Sequence, residues 1–184
     1  MRTTSFHNRL FAIAFTSILI ATFSLSTANG QGRTFKNKSV DYVIEFPSAG
    51  WRALPSSGIV PPRTRKTFRY ADGNVWLIVR RKLVRADISP SDMVRRRQQW
   101  AQHQLAGYVS GKEESFSGRL NGAKFSYEYV RGGKTISALV YYLETDNRTI
   151  YSLLFSGPTD ELRSIGNQTD SIARSFRLKN PLRF

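Results

Sequence analysis

Three glycine-bearing dipeptides, Asp72-Gly73, Asn121-Gly122 and Gly132-Gly133, each lie between two strand-like runs and constrain this chain more than any other feature. Aspartate, asparagine and glycine tolerate the positive φ of two-residue turns, so each dipeptide predicts an antiparallel hairpin. A fourth short link, Asp146-Asn147-Arg148, joins residues 137–143 to 149–155. Antiparallel strands are therefore expected to dominate the second half of the chain.

The turns also sort side chains between faces. A two-residue link at Asp72-Gly73 sets Tyr70 opposite Val75, Phe68 opposite Leu77 and Lys66 opposite Val79, a mostly apolar face that should meet the core. The reverse face pairs Arg69 with Trp76, Thr67 with Ile78, Arg65 with Arg80 and Arg63 with Lys82. Like charges directly opposite each other are unfavourable in a sheet, so that face asks for a reason. The Gly132-Gly133 turn places Phe125, Tyr127 and Tyr129 against Val140, Ala138 and Ile136, and Phe116 is expected to join this central core through an Asn121-Gly122 turn. The opposite side, with Ser126, Glu128, Leu139 and Tyr141, is mixed and is expected to lie under a helix.

Upstream, Val40, Tyr42, Ile44 and Phe46 alternate with polar or smaller residues as in a half-buried strand. Pro47-Ser48-Ala49-Gly50 then turns the chain toward Trp51, and residues 55–62 read as loop. Two helices interrupt the strands. Ser89-Pro90-Ser91-Asp92 combines a capping serine, proline at the first helical position and an acid three residues after the cap. Met93, Arg97, Trp100, Ala101, Leu105 and Tyr108 follow at helical spacing, with Gly107 as the stop. A last helix from Thr159-Asp160-Glu161 carries Leu162, Ile165, Thr169, Ile172 and Phe176 on one stripe, as a helix laid against a sheet does.

The N-terminus has a different character. Arg2 and Arg9 precede an apolar run from 10 to 25, and Ala28-Asn29-Gly30 leads into Gln31. Charged, apolar and small residues in that order predict a secretory signal over residues 1–30. A retained membrane anchor is the alternative, disfavoured because a span usually takes ~20 apolar residues. The chain has no cysteine, which leaves out a lipid-modified cysteine, disulfides and thiol chemistry. The remaining 154 residues fit one domain. Its expected limits are 39–178, after a flexible leader at 31–38 and before a tail at 179–184. An extracytoplasmic location, periplasmic or secreted and without a transmembrane segment after signal cleavage, follows from this reading.

Charge speaks to partners. Loss of residues 1–30 leaves 26 basic residues against 13 acidic ones, a net of +13. Residues 63–97 alone hold eleven Lys or Arg against Asp72, Asp87 and Asp92, a local +8. If Arg63, Arg65, Arg69, Arg80 and Lys82 share a face with Trp76, they form a surface suited to an anionic partner: an acidic protein, an envelope polymer or phospholipid head groups. Arginine binds phosphate or carboxylate as a fork and stacks on indole. The plain alternative is a solvated face with Trp76 and Ile78 covered by a helix. Nucleic acid suits the charge, but export argues against it.

Catalytic signatures are sparse. Nucleophilic catalysis usually pairs a serine or cysteine with histidine, and past residue 30 the only histidine is His103, in the polar stretch Gln102-His103-Gln104. It reads as a solvated helix residue, and one histidine cannot build a metal site of several His or Cys ligands. Glu113-Glu114 and Asp160-Glu161 are adjacent pairs; in a strand such neighbours point to opposite faces, and the second pair reads as first-turn helix charge. Neither a dinucleotide fingerprint nor a phosphate loop is present. No catalytic residue, metal or cofactor is therefore assigned.

The order of elements completes the reading. Residues 42–46 followed by Pro47 and Gly50-Trp51, a hairpin, a helix, antiparallel strands ending in Tyr151-Ser152-Leu153-Leu154-Phe155-Ser156, and a helix closing on Ser175-Phe176 resemble the PsbP-like family over about residues 39–178. The resemblance implies an α+β fold, an antiparallel sheet flanked by helices as an α/β/α sandwich. It also implies an accessory or binding role like those of most such proteins, which include the extrinsic PsbP proteins of photosystem II and bacterial exported relatives of the DcrB type. It implies no ligand residue, and the arginine content here departs from the family pattern. The expectation is an exported, non-enzymatic binding or accessory domain whose candidate contact is the basic hairpin face. A hydrolase with a carboxylate or tyrosine site in a cleft and a purely structural envelope protein are the alternatives.

Overall fold

A computed structural model describes residues 32–55, 64–71, 73–146 and 148–180. The expected signal at 1–30 and almost all of the expected loop at 55–62 lie outside these residues, as does Arg63. Strands β1 (Arg33–Lys36), β2 (Tyr42–Phe46) and β10 (Arg177–Leu178) form a small sheet in the order β1-β2-β10. A seven-stranded sheet is built from β3 (Trp51–Ala53), β4 (Arg65–Tyr70), β5 (Trp76–Leu83), β6 (Val109–Ser117), β7 (Asn121–Arg131), β8 (Lys134–Asp146) and β9 (Thr149–Pro158). Its order is β3-β4-β5-β9-β8-β7-β6, and every pairing is antiparallel. Helix α1 (Pro90–Gln104) lies on one face, and α2 (Thr159–Ser164) and α3 (Gly166–Ser175) lie on the other.

Strand alternation separates two cores. Tyr141 and Leu143 of β8 join Phe68, Leu77, Tyr151, Leu153 and Phe155 beneath β2, α2 and α3. Val140 and Tyr142, one residue out of phase, join Phe125, Tyr127 and Ile150 beneath Met93 and Val94 of α1. The central strand β9 is thus covered on both sides, which explains its nearly continuous apolar run. Aromatic packing closes the larger core, with Phe46 stacked on Trp51 at 5.6 Å and Phe35 edge-on to Phe68 at 4.8 Å. Helix α3 is clipped to the small sheet where the Glu45 N–H donates to Ser175 Oγ at 2.9 Å.

Several expectations need correction. Part of the supposed leader at 31–38 is strand β1, paired with β2 from Arg33 opposite Phe46 to Lys36 opposite Val43. Phe35, packed against the larger core, is its one apolar anchor, too weak a signal to read from sequence. The tail also begins later than 179, since the Lys179 N–H donates to Asp41 O at 2.9 Å. The last helix is broken at Ile165, whose φ of −109° and ψ of 16° separate α2 from α3. Trp100, placed on the buried stripe of the first helix, is exposed, whereas Met93, Val94 and Ala101 are buried.

The Asn121-Gly122 dipeptide is not a turn. Phe116 pairs with Gly122 and Ser117 with Asn121, so the link falls on Gly118, Arg119 and Leu120. Gly122 serves a different need: a Cβ there would lie 1.9 Å from the Tyr142 carbonyl oxygen. The displaced turn moves Phe116 to the opposite face from the one expected, and it packs edge-on to Tyr141 at 5.0 Å in the larger core. Gly132 and Gly133 do form the expected turn, at φ 58° and 73°, and the register from Phe125 opposite Val140 to Tyr129 opposite Ile136 is as read. The mixed face bearing Tyr141 does lie under helices, those of α2 and α3. The edge strand β6 carries an irregularity between Ser110 and Glu113.

Candidate functional site

The β4–β5 hairpin has the register read from sequence. Arg69 lies opposite Trp76, Thr67 opposite Ile78 and Arg65 opposite Arg80, although the connection runs over 71–74 with Ala71 at φ 46°. Phe68, Leu77 and Val79 enter the larger core. Alternation therefore puts Arg65, Arg69, Trp76, Arg80 and Lys82 together on the face that carries α1.

They do not form one cluster. Trp76 and Lys82 are six residues apart along β5, about 20 Å in an extended strand. At one end Trp76 is half-buried, its indole 5.6 Å from the Arg69 guanidinium, in a depression shared with Arg131 and Lys134. At the other end Arg80 and Lys82 line a groove of about 770 Å³ between β5 and α1. The groove exists because α1 packs across β6, β7 and β8 and leaves the β5 side of the sheet uncovered. From α1 it receives Arg96, Arg97 and Trp100, which sequence reading had not assigned to a site. The indole that shares the groove with Arg80 and Lys82 is therefore Trp100, while Trp76 stays with Arg69 at the other end of the hairpin.

Helix α1 is started firmly. Ser89 Oγ accepts from the Asp92 N–H at 3.2 Å, and Asp92 Oδ2 accepts from the Ser89 N–H at 2.8 Å, a reciprocal cap. The Ser89 hydroxyl, which donates to Asp92 Oδ2 at 2.6 Å, then the Ser89 N–H and the Arg95 ion pair hold the Asp92 carboxyl down at about 2. Arg97 is held deeper in the groove: its Nε donates to Tyr127 Oη at 3.1 Å, and its guanidinium lies 4.2 Å from the Trp100 ring.

Among the described residues, no carboxylate lines the groove. Asp92 pairs with Arg95 and Asp87 with Arg85, so the acids near this segment are used elsewhere. Burial lowers the Lys82 pKa, and Arg80, Arg97 and Arg96 lower it further. Burial, then Arg65 and Arg97, lowers that of Arg80. The Tyr142 hydroxyl facing the same space is pushed up to about 12 by burial, against a smaller opposing effect of Arg97 and Arg80. At neutral pH it is an uncharged hydroxyl beside four crowded cations. Among the described residues the groove thus has positive potential with no lining counter-charge.

A second groove, of about 360 Å³, contains Asp41, Asp146 and Tyr151. Tyr151 Oη donates to Asp41 Oδ1 at 2.7 Å, Arg81 lies 3.5 Å from Asp41, and Asp146 Oδ1 accepts from the Arg148 N–H at 2.7 Å. These carboxylates are engaged with groups of the fold itself. Among the described residues, no group of three or more His, Asp or Glu could hold a metal ion. His103 is exposed on α1, its Nδ1 2.6 Å from Gln99 O. No helix among the described residues is long and apolar enough to cross a membrane.

No family model matches the chain, and no curated protein sequence does. Solved structures do. The cyanobacterial PsbP of Synechocystis superposes with a TM-score of 0.57 over 83% of this chain and 95% of its own, at 15% identity. The fold is PsbP-like. LpqN of Mycobacterium tuberculosis, involved in cell envelope biogenesis, shares the PsbP-like architecture with a TM-score of 0.56, 14% identity and coverage of 82% of this chain and 92% of its own. The Ran-binding protein Mog1p of Saccharomyces cerevisiae gives 0.55 at 12% identity, covering 80% and 95%. At these identities a PsbP-like likeness carries the sheet, its helices and their order. The groove cations are this chain's own observation.

Proposed function

We propose that this chain is an exported, non-enzymatic binding or accessory domain that holds an anionic partner in the groove between β5 and α1. The observation that carries the proposal is the convergence of Arg80, Lys82, Arg96 and Arg97 on one concave surface that, among the described residues, no carboxylate lines. Lowered pKa values at Arg80 and Lys82 support it, since an anion arriving there relieves repulsion already present. The order of residues 1–30 supports export. The Ran-binding and envelope-biogenesis neighbours support a role in binding over catalysis.

The test uses the purified chain and polyphosphate as a soluble acidic polymer. The parent protein should bind with affinity that falls steeply as salt rises. Arg80→Ser/Lys82→Ser should bind at least about tenfold more weakly, with a shallower salt dependence, while its unfolding midpoint holds or rises. Equal binding by parent and variant removes the groove from consideration. Arg65→Ser/Arg69→Ser separates the groove from the hairpin face read from sequence, because it leaves all four groove cations in place.

A further inference from the structure

The groove is not lined by charge alone. Among the described residues the exposed large hydrophobic side chains are Leu83, Trp100, Val109 and Val130, and two of these four line it. Leu83 ends β5 with 76% of its surface exposed, and Trp100 stands on α1 at 47%. Neither position is needed to close the core beneath, which Met93 and Val94 already seal from the helix side. Two apolar projections therefore rise beside four cations on a surface that folding did not require to be apolar.

Resting on the anion-binding reading above, we infer that the partner is an anionic phospholipid bilayer, with lipid phosphates in the groove and the Leu83 and Trp100 side chains in the interfacial layer. Each part of the surface meets one part of that partner. Guanidinium groups at Arg80, Arg96 and Arg97 match phosphate oxygens as forks, and Lys82 adds a point charge. An indole and a leucine lodge at the boundary between head groups and acyl chains, where an amphipathic or apolar group is stabilised. A soluble acidic polymer satisfies the cations and gives Leu83 and Trp100 nothing to enter. Attraction between acidic lipid and basic side chains falls off within a Debye length, so cations gathered at one groove act together only when that groove faces the surface.

The experiment compares sedimentation of the full chain with vesicles of phosphatidylglycerol and phosphatidylcholine, with pure phosphatidylcholine vesicles, and with polyphosphate as the lipid-free arm. The chain should partition onto the anionic vesicles and stay in solution with phosphatidylcholine alone. Leu83→Ser/Trp100→Ser should lower vesicle partition about tenfold and polyphosphate binding far less, since Trp100 stacks on Arg97 but offers the polymer no phosphate contact of its own. Arg80→Ser/Lys82→Ser should lower vesicle partition about thirtyfold, near fivefold per cation, and weaken polyphosphate binding as well. Tryptophan emission is a second readout independent of the serine variants: in a Trp76→Phe background vesicles should shift it to the blue, and adding Trp100→Phe should abolish the shift, since the remaining Trp51 is buried in the core. Unchanged vesicle partition in Leu83→Ser/Trp100→Ser, or a blue shift that survives Trp100→Phe, overturns the bilayer inference. Polyphosphate binding without vesicle binding overturns it too, leaves the anion groove standing and turns attention to an acidic protein. Binding to neither overturns both readings.

Discussion

Arg65 and Arg80 face each other directly across the β4–β5 pair, two guanidinium-bearing side chains at one rung of the ladder. A stability-driven sequence would place threonine or an acid at one of them. Arg65→Thr should therefore raise stability by about 0.5 kcal/mol, the scale of a cross-strand pair, read as a higher urea midpoint with an unchanged slope. A lower midpoint would mean that this rung is held by something other than the two opposing charges.

Lys82 links the groove to pH. Burial and three arginines lower its pKa, so the folded state holds its proton less tightly than the unfolded chain does. The penalty is fully present below the folded pKa, and stability rises with pH from there toward the ordinary value of 10.5. Lys82→Met should raise the urea midpoint at neutral pH, flatten that alkaline rise and weaken binding to anionic vesicles about fivefold. A midpoint that falls at neutral pH would contradict the charge-crowding account.

Two glycines separate close approach from turn conformation. Gly122→Ala drives a Cβ to 1.9 Å from a carbonyl oxygen of β8 and should cost about 3 kcal/mol or more, because backbone must move. Gly132→Ala meets open space and is strained only by its φ of 58°, for about 1 kcal/mol. Denaturant titrations of the two variants should differ by at least about 2 kcal/mol. Similar losses would show that β7 and β8 separate at little cost.

Tyr141 connects the larger core to α3. Its hydroxyl donates to Asp170, which Lys124 also reaches at 2.9 Å. Burial works to raise the Asp170 carboxyl, but bonds from Tyr141 and Lys124 outweigh it and hold the group below its ordinary 3.8. The resulting stability is complete above pH 3.8 and is lost as pH falls through the depressed value. Tyr141→Phe should cost about 1–2 kcal/mol at neutral pH and make the acid-induced loss shallower, both measurable by fluorescence-monitored unfolding. An unaltered acid limb would show that Asp170 is held by its cations, Lys124 and Arg174, without Tyr141.

What could be read from sequence was whatever local chemistry dictates. Gly132 and Gly133 fixed one hairpin because a two-residue turn needs positive φ, and the β4–β5 register survived even though Ala71 adopts a left-handed conformation there. Asn121-Gly122 misled because glycine also appears where backbones nearly touch, a tertiary cause with the same local signature. The hairpin cations were legible as one face for the same reason. Arg96, Arg97 and Trp100 were not, since their meeting with β5 depends on α1 crossing β6 to β8, which no spacing within the helix specifies.

The large sheet ends on one side in β3, only three residues long, and on the other in β6, interrupted at 110–113 and bearing Lys112, Glu113 and Glu114. Neither margin offers a straight, uncharged backbone for a visiting strand to zip onto. Contacts of another chain with the large sheet therefore fall to its side-chain surfaces and not to its strand edges.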